Sequence, residues 1–135
     1  MIQRISVQAD RQGLHDITEE IDRAVAECGV REGLCTLYTP HTSASLLIQE
    51  GADPSVLRDL ENWMARHVPE GDPVYTHRTE GPDDPPSHIR SALTPVSLGI
   101  PIVDGSLALG TWQRLFLWEH RRPPRRRTVI LHISE

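Results

Sequence analysis

Leu34-Cys35-Thr36-Leu37-Tyr38-Thr39-Pro40-His41-Thr42-Ser43-Ala44-Ser45-Leu46-Leu47-Ile48 holds two short apolar runs of strand character, parted by a proline-histidine junction. Proline removes a backbone donor and keeps the preceding residue extended, so the ladder weakens where His41 appears. Thr42, Ser43 and Ser45 crowd short donors and acceptors near that imidazole, a composition suited to a small polar ligand. The same letters also read as a Ser/Thr-rich turn with a surface histidine. Two neighbouring strands, Leu34 to Thr39 and Ala44 to Ile48, are the expectation, and the flanking sequence sets what packs on them.

Upstream, Ile5, Val7 and Ala9 alternate with Arg4, Ser6 and Gln8, which predicts an amphipathic first strand over residues 2 to 9. Asp16 with Glu19 forms a capping-box pattern, and Ile17, Ile21, Ala24, Val25 and Cys28 follow helical spacing up to Gly29. Downstream, Asp53-Pro54 starts a second helix with Leu57, Leu60, Trp63 and Met64 as its apolar stripe, ending before Pro69. Residues 69 to 87 carry prolines 69, 73, 82, 85 and 86 and two glycines, and a loop of that length is uncommon in a compact domain unless it is functional or disordered. Ser87 caps a short helix through Leu93, stopped by Thr94-Pro95. The remainder reads as a β-meander: Ser97 to Val103, a hairpin turn at Asp104-Gly105, a long or bulged strand from Leu107 to His120, an arginine-rich loop at 121 to 127, and Thr128 to Ser134. Helices early and strands late predict one α+β domain over residues 1 to 135, built around mainly antiparallel sheet with two longer helices and one short one.

A chain of 135 residues has room for one core, and its net charge of -5 gives no global attraction for nucleic acid. All 14 basic residues are arginine. The lack of lysine excludes a Schiff base, a lysine general base and a phosphate loop ending in Gly-Lys-Ser/Thr, while leaving bidentate arginine for phosphate or carboxylate. Cys28 and Cys35 do not have redox or zinc-knuckle spacing and read as small buried hydrophobes. No apolar run approaches the ~18 residues of a membrane span, so a soluble, cytoplasmic chain without a membrane or nucleic-acid partner is expected.

Among seven histidines, His41, His77 and His88 fall at strand-loop junctions or beside the proline-rich loop. Imidazoles so placed suit zinc or another divalent metal, general acid-base work, or the grip of a phosphate, and spacing does not choose among these. Asp83-Asp84 could hold magnesium or simply solvate the loop. The arginines at 121 to 127 read as a solubilising hairpin tip. Trp112, beside Gly110 and Gln113, is by default a buried packing residue or else the wall of a ring pocket.

Together, Pro40-His41-Thr42-Ser43-Ala44-Ser45, Glu50 with Ala52-Asp53-Pro54, Gly81-Pro82-Asp83 through His88-Ile89-Arg90, and Asp104-Gly105 through Leu109-Gly110-Thr111-Trp112-Gln113 resemble the YjbQ-like family, the secondary thiamine-phosphate synthases. The resemblance implies a β-sandwich-containing α+β fold, a homotrimer, and the joining of hydroxymethylpyrimidine diphosphate to thiazole phosphate. It departs where the family reads Asn-Glu-Asn at Gln49-Glu50-Gly51 and Asp-Asn-Met-Pro-Ala-His at residues 83 to 88. For that chemistry His41 and His88 are expected to contact the diphosphate, with Asp83 and Glu50 on a divalent ion or orienting the histidines. Thr42, Ser43, Ser45 and Arg90 would donate to phosphate, and Trp112 and Gln113 would shape a ring pocket. Two alternatives stand beside it. One is a metal-dependent hydrolase with zinc on His41, His77 and His88; the other is a non-catalytic trimer holding a phosphorylated metabolite or a metal. None requires an organic cofactor; whether a divalent metal is used is left open, and magnesium and zinc are the ions such a site could take.

Overall fold

The computed structural model describes residues 1–135 as two packed antiparallel sheets with three helices. The five-stranded sheet runs β1 (Ile2–Ala9), β8 (Arg125–Ser134), β3 (Gly33–Tyr38), β5 (Ser97–Val103), β6 (Ser106–Leu107). The three-stranded sheet runs β2 (Gly13–Asp16), β7 (Gln113–Glu119), β4 (Ala44–Glu50). The helices are α1 (Thr18–Cys28), α2 (Pro54–His67) and α3 (Asp84–Leu93). None is long and apolar enough to cross a membrane.

Period-2 alternation places the core. Val129, Leu131 and Ile133 of β8, Cys35 and Leu37 of β3, and Ile100 and Ile102 of β5 point inward together. Leu115 and Leu117 of β7 and Leu46 of β4 meet them from the other sheet, and α1 adds Ile21, Ala24 and Val25. The intervening residues of β7, Phe116 and Trp118, face the opposite way, onto Leu14, Met64 and Val68. Every residue from Leu115 to His120 is therefore buried, because β7 is the middle strand of a sheet covered on both faces. The outer face of the five-stranded sheet carries no layer and leaves Ile2, Leu34, Tyr38 and Val103 exposed.

Leu117→Ala is accordingly expected to cost about 2–5 kcal/mol in urea unfolding, the range for leucine truncation in a closed core, whereas Leu34→Ala should stay within about 0.5 kcal/mol. Equal effects would mean that the two-sided burial of β7 is not what stabilises the sandwich.

Several boundaries move. β2 was not expected, since four residues are too few to show a period, yet Leu14 pairs with Trp118 and Asp16 with Phe116. Asp16 Oδ1 accepts from Thr18 N at 2.9 Å just ahead of α1, but the N-cap is Ile17 without a side-chain cap bond, and no Asp16-Glu19 capping box forms. Asp104, at φ 53°, and Gly105, at φ 82°, make the two-residue hairpin between β5 and β6, a left-handed pair that favours Asx-Gly. The long strand over Leu107 to His120 is broken at Gly110-Thr111 into β6 and β7. Helix α3 starts at Asp84, so Ser87 lies inside it and does not cap it; Pro85 and Pro86 fit because the first turn has no partner for their missing N–H groups. In α2 only Met64 of the predicted stripe is buried, with Leu57 and Leu60 half-buried and Trp63 exposed.

Candidate metal centre

The first turn of α3 meets the proline-rich segment that precedes it and the turn that follows β7. Asp84, the first residue of α3, and His88, one helical turn later, share a face. The proline-rich segment brings His77 alongside, Nε2 2.8 Å from Asp84 Oδ2, while His88 Nε2 lies 3.2 Å from the same oxygen. These three donor atoms lie within 4.8 Å of one another. Asp84 is only 3 % exposed, and its other oxygen accepts from Arg121 Nη1 at 2.7 Å. Arg121 also donates from Nε to Asp83 Oδ2 at 2.8 Å and from Nη2 to the Glu80 carbonyl at 3.0 Å. Its fixed fork thus holds Asp84 with one oxygen aimed at the imidazoles.

His88 carries the chemical information. Its Nδ1 lies 2.8 Å from the Thr42 carbonyl, so Nδ1 holds a proton and donates it there. A neutral imidazole has one N–H, which leaves the Nε2 lone pair facing a carboxylate oxygen. Either a second ring proton, which makes an imidazolium paired with Asp84, or a metal cation between the two resolves that opposition. An imidazole donating one ring N–H to a backbone carbonyl while its other nitrogen ligates is the usual orienting arrangement for a metal-bound histidine. Metal–ligand bonds of about 2.0–2.2 Å fit these donors after a few tenths of an ångström of opening.

His41 is not part of this cluster. Its Nε2 accepts from Thr128 N at 2.9 Å, and burial, reinforced by the Arg127 charge, lowers its pKa, so the ring stays neutral. It does line, with His88, Thr42, Ser91 and Val96, a cavity of about 500 Å³. Asp83 points away from the imidazoles: burial would raise its pKa, but Arg121 and the Arg122 N–H outweigh it and hold the carboxyl below its usual range. Glu50 sits at the far end of β4, paired in register with Gln113 and accepting from Asp53 N at 3.0 Å. Thr42 reaches the site through its carbonyl. Ser43 is bound by Arg127, Ser45 by His120 and Thr94, and Arg90 by the Val68 carbonyl at 2.7 Å, so all three are committed inside the protein. Trp112 is 63 % exposed, so it is not the expected packing residue, and Gln113 Oε1 accepts from Gly110 N.

Sequence reading weighed Asp83-Asp84 together for magnesium but placed Asp83, not Asp84, with the histidines, and missed Arg121 as the partner of both carboxylates. The signal for Asp84 was Asp84-x-x-x-His88, which becomes a helical pair once the helix is begun at Asp84. Nor is the arginine run a solvated tip: Arg121 holds Asp83 and Asp84, Arg122 pairs with Glu70, Arg125 lies 3.5 Å from Glu119, and Arg127 is buried.

Two antiparallel sheets sandwiching one core, with a histidine-carboxylate cluster at the start of α3, define a small α+β domain of one recognisable kind. The chain belongs to the family described as UPF0047 protein YjbQ-like, whose model matches residues 3–135. It is 56% identical over 123 residues to UPF0047 protein sll1880 of Synechocystis, covering 91% of this chain and 84% of that one. It is 44% identical over 118 residues to UPF0047 protein YjbQ of Salmonella typhimurium, covering 87% and 85%. The crystal structure of the conserved hypothetical protein TT1486 of Thermus thermophilus superposes with a TM-score of 0.87 at 35% identity, over 98% of this chain and 99% of that one. These findings confirm the family and fold implied by the resemblance and overturn the activity. The family is one of unknown function, and nothing in its description or in those of these relatives indicates thiamine-phosphate synthesis. The geometry agrees. The Ser43 and Ser45 hydroxyls and Arg90, expected to grip phosphate, are spent on internal hydrogen bonds, and the carboxylates expected on one ion, Asp83 and Glu50, do not gather with the histidines.

Proposed function

We propose that this chain is a divalent transition-metal protein whose ion is held by His77, Asp84 and His88. The observation that supports it is His88: Nδ1 committed to the Thr42 carbonyl and Nε2 facing an acidic oxygen that is also shared by His77. Two imidazoles with one carboxylate suit zinc, iron or a similar borderline ion and disfavour magnesium, which prefers all-oxygen shells. Three protein donors leave coordination positions open, and His77 and His88 are partly exposed, so water or a small anion has access. Two histidines and one carboxylate leave a dipositive ion with a net positive charge, which favours an anionic ligand. Arg121 and Thr42 act as orienting partners. Two free cysteines suit a reducing, cytoplasmic setting, and the uncovered sheet face with Ile2, Leu34 and Tyr38 suits contact between copies in a homotrimer.

Purified protein exposed to zinc or ferrous ion and then freed of excess should retain close to one ion per chain by elemental analysis. Asp84→Ala and His77→Ala should each reduce that at least tenfold, while His41→Ala leaves it unchanged. A wild-type protein that keeps no ion, or one that loses it on His41→Ala alone, would end this reading.

A further inference from the structure

Beside the cluster lies a cavity of about 450 Å³ walled by Val74, Tyr75, Pro85 and Ile89 and sharing His77 and His88 with the ion's ligands. Resting on the metal reading above, we propose that this cavity receives the flat apolar part of a ligand whose anionic head binds the ion, so that the site takes aryl carboxylates and related aryl-bearing anions.

The walls and the charge both point to such a ligand. Val74 is 75 % exposed and Ile89 41 % exposed, and both line the cavity together with His77 and His88. Both are apolar side chains that a bound ring would remove from water. The volume falls within the roughly 300–1,000 Å³ typical of small-molecule pockets, and those pockets pair apolar walls with a few directing polar groups. Here the directing group is the ion. The walls are preformed. Tyr75 donates its hydroxyl to the Pro69 carbonyl at 2.7 Å, which fixes the ring, and Pro85 is locked in the first turn of α3. A ligand built only of phosphates would find little here. The nearby arginines are already engaged, Arg121 with Asp83 and Asp84, and Arg78 with the Tyr75 carbonyl.

The test uses the zinc-loaded full chain, titrated calorimetrically with acetohydroxamate and with benzohydroxamate, which offer the same head to the ion and differ in the group that would enter the cavity. The aryl compound should bind about tenfold more tightly. Ile89→Ser and Val74→Ser, neither a ligand, should reduce that ratio to about two while leaving zinc content and acetohydroxamate affinity unchanged. Equal affinities in the wild type, or a ratio that persists in both variants while zinc is retained, overturn the pocket and leave the metal reading standing. A wild-type chain that binds no zinc overturns the metal reading, and the pocket assignment falls with it.

Discussion

Arg127→Leu is expected to lower the unfolding free energy by about 3–5 kcal/mol at neutral pH, measured by urea denaturation, because it leaves a buried carboxylate without the guanidinium that binds both its oxygens, Arg125 reaching only one of them at 3.5 Å. Glu119 has no solvent exposure, and Arg127 is 5 % exposed. Arg127 Nε lies 2.9 and 3.1 Å from the two Glu119 oxygens, and Nη2 lies 2.6 Å from one of them. Nη2 also donates to Ser43 Oγ at 2.8 Å and to the Ser43 carbonyl at 3.2 Å, so the guanidinium ties β8 and β7 to the start of β4. Burial raises the Glu119 pKa even against Arg127 and Arg125, which means that desolvation outweighs the attraction. Two consequences follow from that ordering. The cost of Arg127→Leu should shrink as pH falls, since Glu119 takes up a proton and ceases to be an uncompensated charge. The double variant Glu119→Met with Arg127→Leu should recover most of the loss, because well-packed apolar residues commonly replace a buried pair without penalty. A single variant costing under about 1 kcal/mol, or a double variant as unstable as the two losses summed, would show that the pair does not act as a unit.

That pair also marks where sequence reading stopped. The strands read at residues 2 to 9 and 128 to 134 alternate apolar and polar residues, so their inward faces could be read directly, whereas residues 34 to 39 showed only a short apolar run; the mainly antiparallel α+β domain followed from this pattern, and the sandwich from the family resemblance. The parity that sends Val129, Leu131 and Ile133 inward also sends Arg127 inward, so its burial was written in the period. A run of five arginines drew it into a loop instead. Its partner could not be read, since Glu119 lies on a strand buried on both faces, where no alternation exists to say which way a side chain points. At the candidate metal centre the histidine pair His77 and His88 was legible because both flank an acidic proline-rich stretch. The choice of Asp84 over Asp83 was not. Neighbouring carboxylates on a helix point in different directions, and only the start of α3 and the reach of Arg121 separate the one aimed at imidazoles from the one aimed at Arg122 N. The Pro40-His41-Thr42 junction is functional on this reading through the Thr42 backbone and not through the imidazole that drew attention to it.

His120 should give the fold an acid limb well above the range where carboxylates titrate. It follows β7 with no solvent exposure, Nε2 2.9 Å from Ser45 Oγ and Nδ1 without a partner. Thr94 Oγ1 lies 2.6 Å from Ser45 Oγ and 2.8 Å from the Arg90 carbonyl. Each hydroxyl has one proton, so Nε2–H to Ser45, Ser45 to Thr94 and Thr94 to Arg90 O satisfies the chain with a neutral imidazole. Burial, then the charges of Arg90 and Arg127, pull the His120 pKa from 6.5 to about 3. The folded state refuses a proton that the unfolded chain accepts, so this contribution is fully present above pH 6.5 and is lost as pH falls from there toward 3. Full linkage to one proton amounts to about 1.4 kcal/mol per pH unit, or about 2 kcal/mol between pH 7 and pH 5. The depressed carboxyls of Asp16, Asp53 and Asp83 act only lower, as their unfolded counterparts begin to protonate near 3.8. The clean measure is therefore the difference in unfolding free energy between the metal-free wild type and His120→Asn across pH 5 to 7. That substitution is expected to cost stability at pH 7 through the lost ring, and its disadvantage should narrow by about 2 kcal/mol at pH 5, because asparagine has no proton to refuse. Parallel curves for the two proteins would mean that His120 protonates in the folded state and that the closed Ser45-Thr94 chain does not hold it neutral.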